Sequence, residues 1–238
     1  MNRRTAQKFL RKWHRRLGVV IGIQLFFWTL GGAYFSWFHI DEVRGTRDRK
    51  PAMPIPLTAQ FHFPLDSALS RVSHPVHRIE ATVWQLRPVY LLYETMDNVT
   101  MMDAQTGHIL SPISQAQAIA IACQDFKPRV PIKDVALVTE KGGEYKGPIP
   151  AYRIAFDYWK GTHVYVHANT GRVTAHRNSI WRGFDFLWML HILDFKEREN
   201  FNNWVLRIAS LLGLITIFSG YGLWAFTSPW LRRKRSNG

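Results

Sequence analysis

Two long apolar runs lie near opposite ends of this chain, and the charges beside them orient it in a bilayer. Residues 17–38 carry no charge over 22 positions, about 33 Å as helix against a hydrocarbon core of roughly 30 Å. Residues 204–226 form a second run of similar length whose one charge is Arg207. Arg3, Arg4, Lys8, Arg11, Lys12, Arg15 and Arg16 precede the first run; Arg232, Arg233, Lys234 and Arg235 follow the second; neither flank holds an acid. The positive-inside rule then places residues 1–16 and 227–238 in the cytoplasm as basic tails and residues 39–203 on the outer side. A cleaved signal peptide would need an apolar core of roughly 7–15 residues and a small-residue cleavage site. Here the run is longer and exits through Tyr34-Phe35-Ser36-Trp37-Phe38, so the first helix is expected to be retained.

Divided by location, the net charge of +14 loses its nucleic-acid meaning. Eleven of the 31 basic residues sit in the tails and one in the second run, leaving 19 against all 17 acids in the outward segment. The basicity is a topology signal and an attraction to the lipid bilayer's anionic headgroups; no nucleic-acid partner is expected. The single cysteine, Cys123, excludes an intramolecular disulfide and any zinc site built on several thiolates.

Inside the outward segment the chain repeats itself. Thr100-Met-Met-Asp103-Ala-Gln-Thr106-Gly107-His-Ile recurs as Val164-Tyr-Val-His167-Ala-Asn-Thr170-Gly171-Arg-Val, in each case a strand, a polar turn closed by glycine, and a return to β structure. A helical pattern precedes each copy, at 65–72 and at 114–126 with Ala116, Ile119, Ala120 and Cys123 as its apolar positions. Strands are expected at 79–86, 89–93, 135–139 and 151–158, and a polar loop at 140–150. The pattern reads as two α-β-β-β units, at 61–112 and 113–176, after a linker at 39–60. A helix over 180–195 follows, with Trp181, Phe184, Leu187, Trp188, His191 and Phe195 on one face, as suits the membrane surface. The expected fold class is an α+β membrane protein, two transmembrane helices flanking this outward-facing domain.

The Trp13-His14-Arg15-Arg16-Leu17-Gly18 entry to the first span, the turns Asp103–Gly107 and His167–Gly171, and Leu190-His191 before the second span resemble the PepSY-associated transmembrane family. The likeness covers nearly the whole chain and implies a bacterial inner-membrane protein with a periplasmic domain at 39–203 built of PepSY-like units. It also implies a tie to iron uptake, because some members look like haem-bearing ferric or ferrisiderophore reductases. Longer members carry four or more spans, whereas this chain has two.

A membrane haem is commonly held by neutral imidazoles projecting from helices. On an ideal helix Gly18 lies about 40° and Gly22 about 80° from His14, a small-residue stripe where a helix or macrocycle can approach. His39 falls at about −20° if the helix runs unbroken, roughly 37 Å away. His191 sits on the apolar face of the third helix, with Asp194 placed to fix its tautomer. The competing readings are a solvated interfacial His14, a packed His191 and a His39 that caps the membrane exit. Arg207 is expected to snorkel outward, or else to pair with a haem propionate. The second span has its own small stripe, Ala209, Gly213, Thr216 and Gly220. Two helices enclose little, so a homodimer is expected, with His14 serving an inner haem and His191 or His39 an outer one. His163 and His167 share a strand face but lie roughly 13 Å apart, too far to share a metal. No phosphate-cradling glycine loop, G-x-S-x-G or H-E-x-x-H motif occurs.

The leading expectation is a b-type cytochrome, with haem b as cofactor, that passes electrons from an unidentified donor outward to ferric iron or a ferrisiderophore. The alternatives are an anchored binding module that regulates a protease or transporter, and an accessory subunit of a larger redox complex.

Overall fold

The computed structural model describes residues 3–51, 61–95 and 98–228. The basic residues 232–235 and residues 52–60 of the expected linker lie outside them. The chain forms two compact units, one of Met1–Phe38 with Gly183–Gly238 and one of His39–Arg182.

The helical unit contains α1 (Arg3–Trp37), the end of α5 (Ser179–Ile192) and α6 (Trp204–Thr227). Both α1 and α6 are long and apolar enough to cross a membrane. Val19, Val20, Ile23, Phe26, Ile208, Leu211, Leu214 and Phe218 are exposed on them, the dress of a bilayer-facing helix. Small residues on α6 receive side chains of α1. Ile21, buried, lies against Gly213, Leu10 against Gly222 and His14 against Gly220. The α6 stripe therefore packs as its spacing implies. The α1 stripe does not: among the described residues, a Cβ built on Gly18, Gly22 or Gly32 would meet nothing within 4 Å beyond its own helix backbone. α1 turns its larger residues into the grooves that α6's glycines open.

Two further differences concern helix ends. α1 stops at Trp37, and His39 adopts an extended backbone (φ −65°, ψ 143°) as N-cap of the short α2 (Ile40–Val43), accepting the Asp41 N–H. That local bond competes with continuing the helix. α5 ends at Ile192, so Phe195 falls in the following loop, exposed.

The sheet unit, His39–Arg182, has two antiparallel sheets. β1 (Arg78–Trp84), β2 (Arg87–Tyr93) and β3 (Val99–Asp103) form one; β4 (Ile132–Val138), β5 (Ala151–Phe156), β6 (His163–His167) and β7 (Val173–Arg177) form the other. Each follows a helix, α3 (Leu65–Leu69) and α4 (Gln115–Asp125). Ser114 and Gln117 close α4 with a capping box. The first strand ends two residues earlier than expected, because Gln85 (φ 48°) and Leu86 (φ 65°) make the tight turn to β2. No Gly or Asn marks that turn.

Within the sheet unit the two repeats share one core. Val89 and Leu91 of β2 with Val99 and Met101 of β3 join Ile154, Phe156, Val164 and Val166 of the second sheet and Ala118, Ile121, Ala122 and Phe126 at α4. Alternate residues Tyr90, Leu92 and Met102 pack with Ala68 of α3 on the opposite face. β2 is thus covered on both sides, which explains its unbroken apolar run. The buried face of α4 is Ala118, Ile121 and Ala122, while Ala116, Ala120 and Cys123 are exposed. Ala-Ile-Ala-Ile-Ala is apolar all round, so its period does not select a face.

Residues 39–50 are not a bare linker. After a 3-10 turn (Thr46–Asp48), the Lys50 N–H bonds Asp125 O, the Lys127 N–H bonds Asp48 O, and Arg49 bridges Phe126 in β fashion. Arg49 also grips the Asp125 carboxylate through Nε and Nη2, and Lys160 pairs with Asp48 at 2.9 Å.

The repeated turns match closely. In each, the glycine N–H bonds the carbonyl four residues back, Gly107 to Asp103 and Gly171 to His167, with φ of 73° and 62°. An aromatic ring occupies the place of a side chain: Phe63 over Gly107 and Trp84 over Gly171. A Cβ on Gly171 would sit 2.2 Å from Trp84 Nε1. We expect Gly171→Ala to cost about 3 kcal/mol, backbone strain plus displacement of the indole, read by chemical denaturation of the sheet unit's near-UV signal.

Candidate functional site

His14 lines an apolar cleft of about 540 Å³ with Thr216, Ile217, Gly220, Tyr221 and Trp224. Its ring is held by two features of α6. Gly220 lets it approach, since a Cβ there would lie 3.1 Å from His14 Cε1, and Ser219 Oγ lies 2.7 Å from Nδ1. Ser219 Oγ donates its own proton to the Thr216 carbonyl at 2.7 Å. The network therefore assigns the hydroxyl as acceptor from His14 Nδ1–H and leaves the Nε2 lone pair available. This is the arrangement of a ligating histidine whose other nitrogen is tied to the protein. Ser219, Tyr221 and Trp224 escaped the sequence reading; their only signal is proximity to the Gly213 and Gly220 stripe.

His191 lies among aromatic rings of α1 and α5. It is nearly parallel to Trp188 (3°, centroids 6.0 Å apart), with Trp28 at 5.8 Å and Phe35 at 6.2 Å. Its Nδ1 is buried with no hydrogen-bond partner among the described residues. α5 is moored here by Gln24 Nε2 and Trp28 Nε1, which donate to the carbonyls of Leu190 and His191 at 2.9 and 2.7 Å. Asp194 does not orient His191. It accepts the backbone N–H groups of Asn200, Glu199, Lys196 and Glu197, and the Asn200 and neighbouring bonds hold its carboxyl down at about 2. An oxygen so engaged stabilises the loop before α6.

His39 is placed otherwise than expected. The break at Trp37 removes the continuous helical face that would align His39 with His14, and its exposed ring serves the α2 cap. Arg207 stacks its guanidinium over Trp204 at 5.2 Å, an interfacial perch. The structure sets His14 and His191 at separate levels of the helical unit: from His14 to Trp28 is about 21 Å of helical rise. No group of three or more His, Cys, Asp or Glu side chains is gathered for a metal ion among the described residues. A haem, which needs one or two imidazoles and apolar walls, fits the His14 cleft by that donor and lining. The orphaned nitrogen of His191 offers a second donor.

In the sheet unit the loop between β4 and β5 is pinned rather than merely polar. Tyr145 is buried, stacks on Tyr165 (5°, 4.3 Å), and its hydroxyl meets Pro148 O and Thr174 Oγ1, each at 2.8 Å. Glu144 accepts from His163, from Tyr165 at 2.7 Å and from Arg182 at 2.7 Å. Burial pushes the Glu144 carboxyl up, but the hydrogen bonds from His163, Arg182 and Tyr165 outweigh it and bring it to about 2. A folded pKa below the ordinary 4.5 stabilises the unit above that pH, and the contribution fades as pH falls toward 2. In Glu144→Gln, the fall in stability over this window is expected to flatten by about one proton's worth, with about 2 kcal/mol lost near neutrality after allowance for solvent screening. Denaturant titrations at stepped pH measure both.

Neither a curated protein nor a solved structure matches the chain. Residues 112–177 match the family described as Peptidase propeptide and YPEB domain. The stretch running from just before α4 to the end of β7 is a PepSY domain.

Proposed function

We propose that this chain is an inner-membrane b-type cytochrome that carries electrons outward to ferric iron or a ferrisiderophore, its PepSY-bearing unit facing the periplasm. The observation that carries the reading is His14, set in an apolar cleft with Nδ1–H given to Ser219 and Nε2 left as donor. Haem b bound there supplies one-electron chemistry at its iron. His14 would hold the group, Ser219 would keep the ring oriented, and Ile217, Tyr221 and Trp224 would exclude water. His191 is the donor for an outer site. Gly18, Gly22 and Gly32, open on α1, suit close approach of a second copy, so the working unit is a homodimer. The electron donor is a separate cytoplasmic or quinone species. An absorption spectrum of the chain purified from haem-replete cells tests this: a Soret band that shifts on reduction is expected, and a colourless protein overturns it.

A second reading rests on the PepSY domain. A family described by peptidase propeptides favours an anchored module that restrains a protease or docks a transporter or redox complex. That reading predicts function undiminished when His14, His39 and His191 are all replaced.

A further inference from the structure

The turn between β5 and β6 holds a bare indole: Trp159 is 78% exposed. The backbone beneath it is well bonded. The Phe156 N–H donates to Thr162 O, the Asp157 N–H to Pro131 O at 2.8 Å and the Gly161 N–H to Tyr158 O at 2.7 Å. The Lys160 ammonium lies 5.2 Å from the indole centre and is itself engaged by Asp48 at 2.9 Å. A large apolar ring is thus held out on a fixed frame, where water is a poor solvent for it.

This turn is bonded to both places where the chain leaves the sheet unit. On one side the Ser179 N–H donates to Lys160 O and Arg182 Nη1 to Gly161 O, each at 2.8 Å; Arg182 is the unit's last residue. On the other, Asp48 belongs to the segment that begins at His39, the unit's first residue, and Asn178 Nδ2 holds Glu42 O at 2.9 Å. Both exits lead along the chain toward helices long and apolar enough to cross a membrane. Leu86, 82% exposed, marks the opposite end of β6, because Trp84 beside it lies over Gly171 in the turn after that strand. Five residues of β6 separate the two turns, roughly 13 Å. Only the Trp159 end is joined to the exits.

We propose that Trp159 is an interfacial anchor, seating the β5–β6 turn on the outer leaflet of the bilayer with its indole at headgroup depth. An indole combines an apolar body with one N–H donor, the combination that favours the membrane–water interface. The contact is intramolecular for a chain already tethered at both exits, so one side chain's modest affinity suffices. The proposal rests on the reading of α1 and α6 as membrane spans and is independent of haem.

Nitroxide labelling tests it. In a Cys123→Ser background, Trp159→Cys, Leu86→Cys and Leu211→Cys (on α6) are labelled singly and the full chain is reconstituted in phosphatidylcholine–phosphatidylglycerol vesicles. The ratio of oxygen to water-soluble nickel-complex accessibility reads depth. It should be highest at 211, and at 159 at least about threefold above 86, as for a side chain lying roughly 5–10 Å into the headgroup boundary. Equal ratios at 159 and 86, with 211 still in hydrocarbon, overturn the anchor and leave the spans standing. Aqueous values at all three overturn the spans and the anchor together. On the unsubstituted chain in the same vesicles, hydroxyl-radical labelling should mark Trp159 less than Leu86, although an indole is intrinsically the more reactive. The reverse order also overturns the anchor.

Discussion

Replacing His14 by alanine is expected to strip the pigment, lowering Soret absorbance per chain at least about tenfold where His14 is the iron's protein ligand. Ser219→Ala should weaken haem retention by about 10–100-fold, the usual cost of losing the hydrogen bond behind a ligating imidazole. His39→Ala should leave the spectrum as it was, because that ring caps α2. Thermal unfolding of the sheet unit should be the same in all three, which separates loss of a ligand from loss of fold. A His14→Ala protein that keeps its full Soret band would remove this residue from the proposal and leave His191 as the donor to examine.

Asp125→Ala is expected to cost the sheet unit about 4 kcal/mol. The carboxylate accepts from Arg49 at 2.8 and 3.1 Å and from His176 Nε2 at 2.6 Å, and the His176 side chain is only 1% exposed. Removing the acid abandons a buried imidazole and half-buried guanidinium without their acceptor, the costly way to break an ion pair. Burial pushes the Asp125 carboxyl up, but the bonds from His176 and Arg49 hold it below its ordinary value. Its contribution is thus present at neutral pH and fades as pH falls below the ordinary carboxylate range. Asp125→Asn, which keeps one oxygen acceptor, should lose about half as much. Denaturant midpoints at pH 7 and at pH 3 decide it: the variants and the parent should differ widely at the first and converge toward the second.

The parts of this fold legible in the sequence are those whose physics is local. Hydropathy length marks α1 and α6, and the Thr-Gly turn marks both repeats because Gly107 and Gly171 must take positive φ. What escaped depends on partners remote in the chain. The burial of Tyr145 and the pairing of Glu144 need β6 and Arg182 to be in place. The apolar face of α4 is ambiguous until the sheet beneath selects Ala118, Ile121 and Ala122. For the candidate site, the histidine was visible and its surroundings were not. His14 was picked out as an imidazole at the head of an apolar run, yet Ser219, which sets its tautomer, lies 205 residues away. The helical-wheel alignment of His39 failed for a definite reason: a wheel assumes an unbroken helix, and this one ends at Trp37.

The strap formed by residues 46–50 decides where an isolated version of the sheet unit has to begin. A fragment started at the first repeat, near residue 61, would leave Asp125 facing His176 alone and strip the end of α4 of its Lys50 and Lys127 backbone bonds. One that starts at His39 retains them. Ribosomal order imposes the same dependence on the cell, since the strap emerges well before α4 exists to receive it.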